Sequence, residues 1–148
     1  MAEIREARAG DEDALLAAYE WLFAPPGSVP PGWDPHAARD AITRTIEADS
    51  STILVAEDSG SISGICSACL DLDSVRFGPR CWVEDLVVDP ELRSRGMGKA
   101  LLDAAKDWAR ERGASHVELD SGVERADAHR FYERENPSWE SKCYAWKL

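Results

Sequence analysis

The stretch "VEDLVVDPELRSRGMGKALLDAA", residues 83–105, runs from an apolar strand through a turn into a helix. At the junction Gly96 and Gly98 stand among Arg93, Arg95 and Lys99. The chain around them is acidic: 17 basic against 28 acidic residues give a net charge of −11. A helix start leaves backbone N–H groups unpaired and carries a partial positive charge. Glycine lets a ligand approach that backbone closely, and the three side chains add cations suited to oxyanions. Together they predict a site for phosphate, and for a pyrophosphate in particular.

Two common phosphate loops do not fit. A P-loop needs four residues between its glycines and then Lys-Ser/Thr, whereas Gly96 and Gly98 are two apart. A dinucleotide fingerprint needs a third small residue where Leu101 stands. Asp120 follows at about the ribose-binding distance, but too little chain remains to complete a doubly wound sheet.

Outward from this stretch, the 148 residues read as a single domain, 1–148. Hydrophobic residues make up 44% and charged residues 30%, an ordinary globular composition. The acidic balance argues against nucleic-acid binding, which needs a basic footprint. No apolar run approaches the roughly 18 residues of a membrane helix. The charged start "MAEIREARAGDEDA" lacks the apolar core of a secretion signal, so a cytoplasmic protein is expected. Cys66 and Cys69 have C-x-x-C spacing, but a second such pair is absent and they read as reduced thiols rather than metal ligands.

The pattern predicts mixed elements. "EIREAR" alternates as a strand, and "DEDALLAAYEWLF" carries apolar residues at helical spacing. "APPGSVPPGWDP" is a loop. A second helix follows, with Asp34 as cap and Pro35 at its first position. "STILVAED" and "ISGICSACLDL" form a hairpin, and "CWVEDLVV" is a strand. Residues 96–112 form a helix with Leu101, Leu102, Ala105, Trp108 and Ala109 in one stripe, stopped by Gly113. "SHVELD" is a strand, "RADAHRFYERE" a helix and "WESKCYAWKL" a last strand. The order β-α-α-β-β-β-α-β-α-β predicts an α+β, or mixed α/β, fold around one central sheet.

The motif "RSRGMG" resembles the Arg/Gln-x-x-Gly-x-Gly/Ala signature of the GCN5-related N-acetyltransferase superfamily, and "DPEL" and "AHRFYER" fall where that superfamily has them. "VEDLVVDPELRSRGMGKALL" is similar to its polyamine acetyltransferases in particular. The resemblance covers roughly residues 52–148. It implies a GNAT-like mixed sheet and transfer of an acetyl group from acetyl-CoA, without a metal, to a primary amine. It implies that backbone amides of Ser94, Arg95, Gly96, Met97, Gly98 and Lys99 hold the CoA pyrophosphate. Backbone of Leu86, Val87 and Val88 pairs with the pantetheine arm, and the second helix motif, with Arg125 and Ala128, lies beside the cofactor. Glu84 matches the acidic residue that takes a proton from the amine, and Tyr132 the tyrosine that protonates the departing thiolate. Trp33 lies on the loop where the family places substrate walls. Arg125 stands where the family often has Asn, and "NPSW", Asn136 to Trp139, replaces its Gly-Phe. The family often dimerises, so a homodimer is compatible with the resemblance. The same fold also admits a non-catalytic acyl-CoA-binding or regulatory module.

The residues make chemical sense of those roles. An amine at pH 7 is mostly protonated and attacks a thioester only after losing a proton, which a carboxylate accepts. Strict alternation along "WVEDLVV" puts Trp82, Glu84, Leu86 and Val88 on one face and Asp85 on the other, so only one carboxylate faces a given cleft. A Tyr beside Phe131 on an amphipathic helix otherwise reads as core, and His129 reads as solvent-facing. Glu20, Glu84, Asp85, Glu118 and Asp120 lie on segments that approach the cleft. With Trp33 they predict a small cationic acceptor, Glu118 and Asp120 joining Trp33 as substrate contacts.

Overall fold

In the computed structural model residues 2–148 are described. Five strands form one sheet in the order β1-β2-β3-β4-β5: β1 Glu3–Glu6, β2 Ser51–Asp58, β3 Ser61–Ser74, β4 Gly78–Val88 and β5 His116–Glu118. The first four are antiparallel, and β5 runs parallel to β4. Helices α1 (Glu12–Phe23) and α2 (Pro35–Glu47) precede β2, α3 (Met97–Glu111) follows β4, and α4 (Ala126–Arg134) follows β5.

Period-two alternation divides the core between the two faces of the sheet. On β2, Ile53 and Val55 pack with Leu15 and Ala18 of α1 and Ile42 of α2. Leu54 and Ala56 face the other way, onto Leu101, Ala105, Trp108 and Ala109 of α3. The expected stripe of α3 is thus its buried face. Gly64 lets α3 close on the sheet: a Cβ there would lie 2.9 Å from Leu101 Cδ1. The expected caps also form. Asp34 accepts from the His36 amide at 3.0 Å with Pro35 at the first position of α2, and Gly113 turns the chain after α3 at φ +82°.

The expected last strand does not form. Residues 139–148 adopt no regular structure and lie exposed. Asn136, in the left-handed region at φ 55°, and Pro137, which lacks an N–H, redirect the chain after α4. The Trp139 ring then packs on Phe77 and His116, but no ladder with β5 follows.

Candidate active site

Two bends in pairing shape the centre of the sheet. Ser67 pairs with Asp85 and Ala68 with Val83, so Glu84 is an extra residue bulged out of β4. A bulge bends its strand and sharpens its twist. On the other side of β4, the parallel ladder with β5 covers only Arg80–Trp82 against His116–Glu118. Beyond it, residues 83–88 keep β3 on one side and have no strand on the other among the described residues. The free edge of β4 there offers N–H and C=O groups to an extended ligand. Leu86, Val87 and Val88 line that edge.

The bulge also resets which way side chains point. Val83 packs in the α3-side core, and Leu86 and Val88 pack against it from the same side, while Val87 belongs to the α1/α2 side. Trp82 and Glu84 therefore do not share a face with Leu86 and Val88, as strict alternation predicts. Asp85 reaches α1, where the Tyr19 hydroxyl donates to its Oδ2 at 2.8 Å. Ser67 Oγ accepts from the Asp85 amide at 3.1 Å. Glu84 is exposed and accepts from Trp82 Nε1 at 2.7 Å. Its charge raises both Tyr19 and Asp85. Both carboxylates thus stand at one cleft.

Their settings differ. Burial pushes the Asp85 carboxyl above its ordinary value and the Glu84 charge adds to this, while bonds from Tyr19 and Ser67 oppose it. Tyr19 is pushed up by burial first and then by the Asp85 charge, so it remains a donor. Trp33 closes this side, edge-on to Phe23 at 4.7 Å and tilted to Tyr19 at 6.4 Å between ring centroids. Tyr19, Phe23 and Trp33 thus form an aromatic cluster beside the Asp85 carboxylate. Tyr19 was missed in sequence because its spacing marks only a helix face; no local signal reports a partner 66 residues away.

Tyr132 stands on α4. Burial pushes its hydroxyl up to about 12, Cys66 adds to this, and Arg125 opposes it. The hydroxyl is protonated at neutral pH and has no hydrogen-bond partner among the described residues. His129 and Ala128 are half-buried on the same helix. Arg125, at the start of α4, donates to the Leu22 carbonyl at 3.2 Å and so braces the end of α1.

The opening of α3 keeps its predicted character. Gly96 caps the helix at φ 78° with no side-chain hydrogen bond, and Ser94 is also left-handed at φ 65°. The first-turn amides of Met97 and Gly98 therefore point outward unpaired. Arg93 and Arg95 are exposed, and neither has an ion-pair partner among the described residues. A Cβ on Gly98 would meet only ordinary contacts, 3.7 Å from Phe131 and 4.0 Å from Val88. Packing does not demand this glycine, and its bare backbone leaves room for a ligand to approach closely. Donors, cations and bare backbone all fit a pyrophosphate. Lys99 departs from expectation: its ammonium is held by Asp103 at 3.0 Å and Glu135 at 3.1 Å, tying α3 to the end of α4.

Two expected substrate contacts are also engaged elsewhere. Glu118 accepts from Arg80 at 2.9 Å, and the same guanidinium holds Asp71 at 2.7 Å. Asp120 contacts the Cys143 thiol and raises it. Glu118 ends β5 and pairs with Trp82, and Asp120 follows it. Among the described residues no group of three or more His, Cys, Asp or Glu is placed to hold a metal.

Residues 15–136 match the Acetyltransferase (GNAT) family. The chain belongs to that family. Among curated relatives, the uncharacterized N-acetyltransferase YhdJ of Bacillus subtilis is 41% identical over 87 residues, covering 59% of this chain and 61% of that protein. The aminoalkylphosphonate N-acetyltransferase of Salmonella typhimurium is 45% identical over 53 residues, 36% of this chain and 34% of that protein. The matched regions thus span about a third to three-fifths of these relatives. Among solved structures, the aminoglycoside N-acetyltransferase AAC(6')-Iy in complex with CoA superposes with TM-score 0.86 at 18% identity, over 100% of this chain and 95% of that one. The five-stranded mixed sheet with its four helices is therefore the GNAT fold.

Proposed function

We propose that residues 1–148 act as one N-acetyltransferase domain that moves an acetyl group from acetyl-CoA to a primary amine of a small cationic acceptor. The observation that carries this reading is the bulge in β4. It carries Glu84 and Asp85 side by side next to the unpaired length of β4, and Tyr132, protonated at neutral pH, is the candidate acid.

The amides of Ser94 to Gly98, with Arg93 and Arg95, would hold the pyrophosphate at the start of α3. The free edge of β4 at Leu86 to Val88 would pair with the extended arm. The thioester supplies an acyl carbon open to attack by a neutral amine. Tyr19 and Trp33 offer ring faces to the acceptor's cation, and Asp85, held by Tyr19, anchors its charge. Glu84, open to water, accepts the amine proton. The nitrogen then bonds to the acyl carbon, the carbon–sulfur bond breaks, and Tyr132 gives its proton to the departing sulfur.

The acceptor class is supported by relatives as well as by the cleft. One is named for aminoalkylphosphonates, another, from Streptomyces lavendulae, is a streptothricin acetyltransferase, and the fold neighbour is an aminoglycoside acetyltransferase. The free, reduced state of Cys66, Cys69, Cys81 and Cys143 supports a cytoplasmic setting.

The test is thiol release from acetyl-CoA against polyamines, aminoglycosides, aminoalkylphosphonates and amino acids. Turnover with a cationic amine is expected. A strict preference for neutral or anionic acceptors would overturn the acceptor class. Binding of acetyl-CoA without release to any amine would favour the non-catalytic module.

A further inference from the structure

Arg80, Trp82 and Glu84 stand two residues apart on β4, while Cys81 and Val83 between them enter the core under α3. The three side chains therefore form a row on the sheet face turned away from α3. Glu84, at the end of the row, is exposed. An exposed glutamate samples many rotamers, yet a base works only within hydrogen-bond reach of the proton it takes. One contact restrains it. Trp82 Nε1 donates to Glu84 Oε2 at 2.7 Å, and Oε1 accepts no hydrogen bond among the described residues. An indole carries a single N–H, and to a carboxylate its bond is charge-assisted. It engages one oxygen and leaves the other open.

The indole is itself held. The Arg80 guanidinium carbon lies 5.3 Å from the centroid of the Trp82 ring. That guanidinium is fixed from both sides. Its Nε and Nη2 donate to the two oxygens of Asp71 at 3.0 and 2.7 Å, and its Nη1 donates to Glu118 Oε2 at 2.9 Å. A two-pronged bond of this kind fixes the plane of the guanidinium as well as its position. Asp71 belongs to β3 and Glu118 to β5, so the row is anchored on three strands. Asp71 is also the extra residue of a second shift in pairing, since Leu70 meets Cys81 and Leu72 meets Arg80.

We propose that Trp82 is a positioning residue for Glu84: braced by Arg80, its indole N–H fixes one carboxylate oxygen so that the other meets the proton of the acceptor amine. The inference rests on Glu84 as the base of the reaction given above. The reach of the Glu84 charge agrees with a carboxylate held over the sheet face. Burial first, then the Asp71 and Glu84 charges, raise the Cys69 thiol, and Cys69 stands opposite Trp82. The same charge acts on Tyr19 and Asp85. Arg80, Asp71 and Glu118 thereby gain a function at a distance: none touches the acceptor, and together they keep the indole in place.

The test is a double-mutant cycle in steady-state kinetics: wild type, Trp82→Phe, Glu84→Gln and the double variant, with acetyl-CoA and the panel amine turned over fastest. Trp82→Phe keeps a ring beside Arg80 and removes the donor. It should lower kcat by about tenfold, the scale of one hydrogen bond to a charged group, and leave KM for the amine within about twofold. In the Glu84→Gln background the same change should cost less than about twofold, because the base it serves is gone. Equal losses in the two backgrounds, or a raised KM at unchanged kcat, would overturn the proposal, since Trp82 would then act independently or wall the acceptor. Glu84→Gln with wild-type turnover, or no turnover of any panel amine by wild type, would remove Glu84 as base and the proposal with it. The pair itself is read without activity. The Trp82 indole N–H resonance, assigned in the isotope-labelled wild-type chain, should move upfield in Glu84→Gln, where a neutral amide oxygen replaces the carboxylate. An unmoved resonance would show that the bond does not form, even with Glu84 as the base, and it decides the question also where Trp82→Phe does not fold. Circular dichroism and the thermal shift with acetyl-CoA should match wild type in Trp82→Phe, which separates a lost orientation from lost folding or lost cofactor.

Discussion

Removing one oxygen from Tyr19 tests the cleft directly. The hydroxyl donates to Asp85 at 2.8 Å in a part-buried setting, and the other donor to that carboxylate, Ser67 Oγ, stands at 3.4 Å. Hydrogen bonds to charged groups contribute about 1.5–3 kcal/mol, and neutral ones about 0.5–1.5 kcal/mol. Tyr19→Phe should therefore lose about 1.5–3 kcal/mol wherever Asp85 is ionised. For a chain of this length that is a fall in Tm of about 3–12 °C. The pH dependence has a definite sign. The Asp85 carboxyl is held above its ordinary value of 3.8, so between the two values the native state binds more protons than the unfolded one. Stability from this group therefore falls as pH rises through that window. Tyr19 opposes the upward shift, so its loss widens the window upward. The deficit of Tyr19→Phe should thus shrink toward the neutral-bond range well below the ordinary value of 3.8, where Asp85 is protonated in both states. Urea unfolding of both proteins at about pH 2.5 and about pH 8 measures it. Equal deficits at the two pH values, or none at either, would show that Tyr19 does not hold a charged Asp85.

Acetyl-CoA should raise the melting temperature, by about 2.7 kcal/mol of added stability at a hundredfold excess over Kd; NAD should not, and Gly98→Glu should abolish the shift by filling the space beside Phe131 and Val88 with a charged side chain. Tyr132→Phe should lower kcat while leaving acetyl-CoA affinity nearly unchanged, as measured by steady-state kinetics and equilibrium binding. Glu84→Gln should lower kcat/KM near neutral pH by about 10²–10⁴-fold, with the loss shrinking as pH approaches the pKa of the acceptor amine. A Glu84→Gln enzyme with wild-type activity at pH 7 would pass the proton to another acceptor, Asp85 first.

Most of the fold was legible because its signals are local. The stripe on α3, the Asp34 cap and the Gly113 stop are each determined within one or two turns of chain, and all stand where the sequence predicts them. The last strand was misread for the complementary reason. Alternation establishes that residues 139–148 suit a strand, but a strand exists only where a partner supplies its hydrogen bonds, and the described chain supplies none. Glu118, Asp120 and Lys99 carry long-range partners that the sequence does not show: Arg80, Cys143 and Glu135.

The active site turns on one inserted residue. Without the bulge, period two would send Glu84 and Asp85 to opposite faces, and one of them would enter the apolar layer under α3, Asp85 with Val83 or Glu84 with Leu86. A bare carboxylate there would be costly to bury. The bulge avoids this by shifting the phase of β4 at Glu84, so that the apolar positions on both sides of it, Val83 and Leu86, still face α3. The ladder with β5 stops at Trp82, just before this shift. The shift thus places two carboxylates beside the unpaired length of β4. The opposing residue, Ser67, meets Asp85 and not Glu84, leaving Glu84 free to face water and Asp85 fixed by Ser67 and Tyr19. A strand with regular pairing would have to choose between a sealed sheet and a single carboxylate. Sequence alternation cannot reveal the choice, because the extra residue is recognised only against the register of the neighbouring strand.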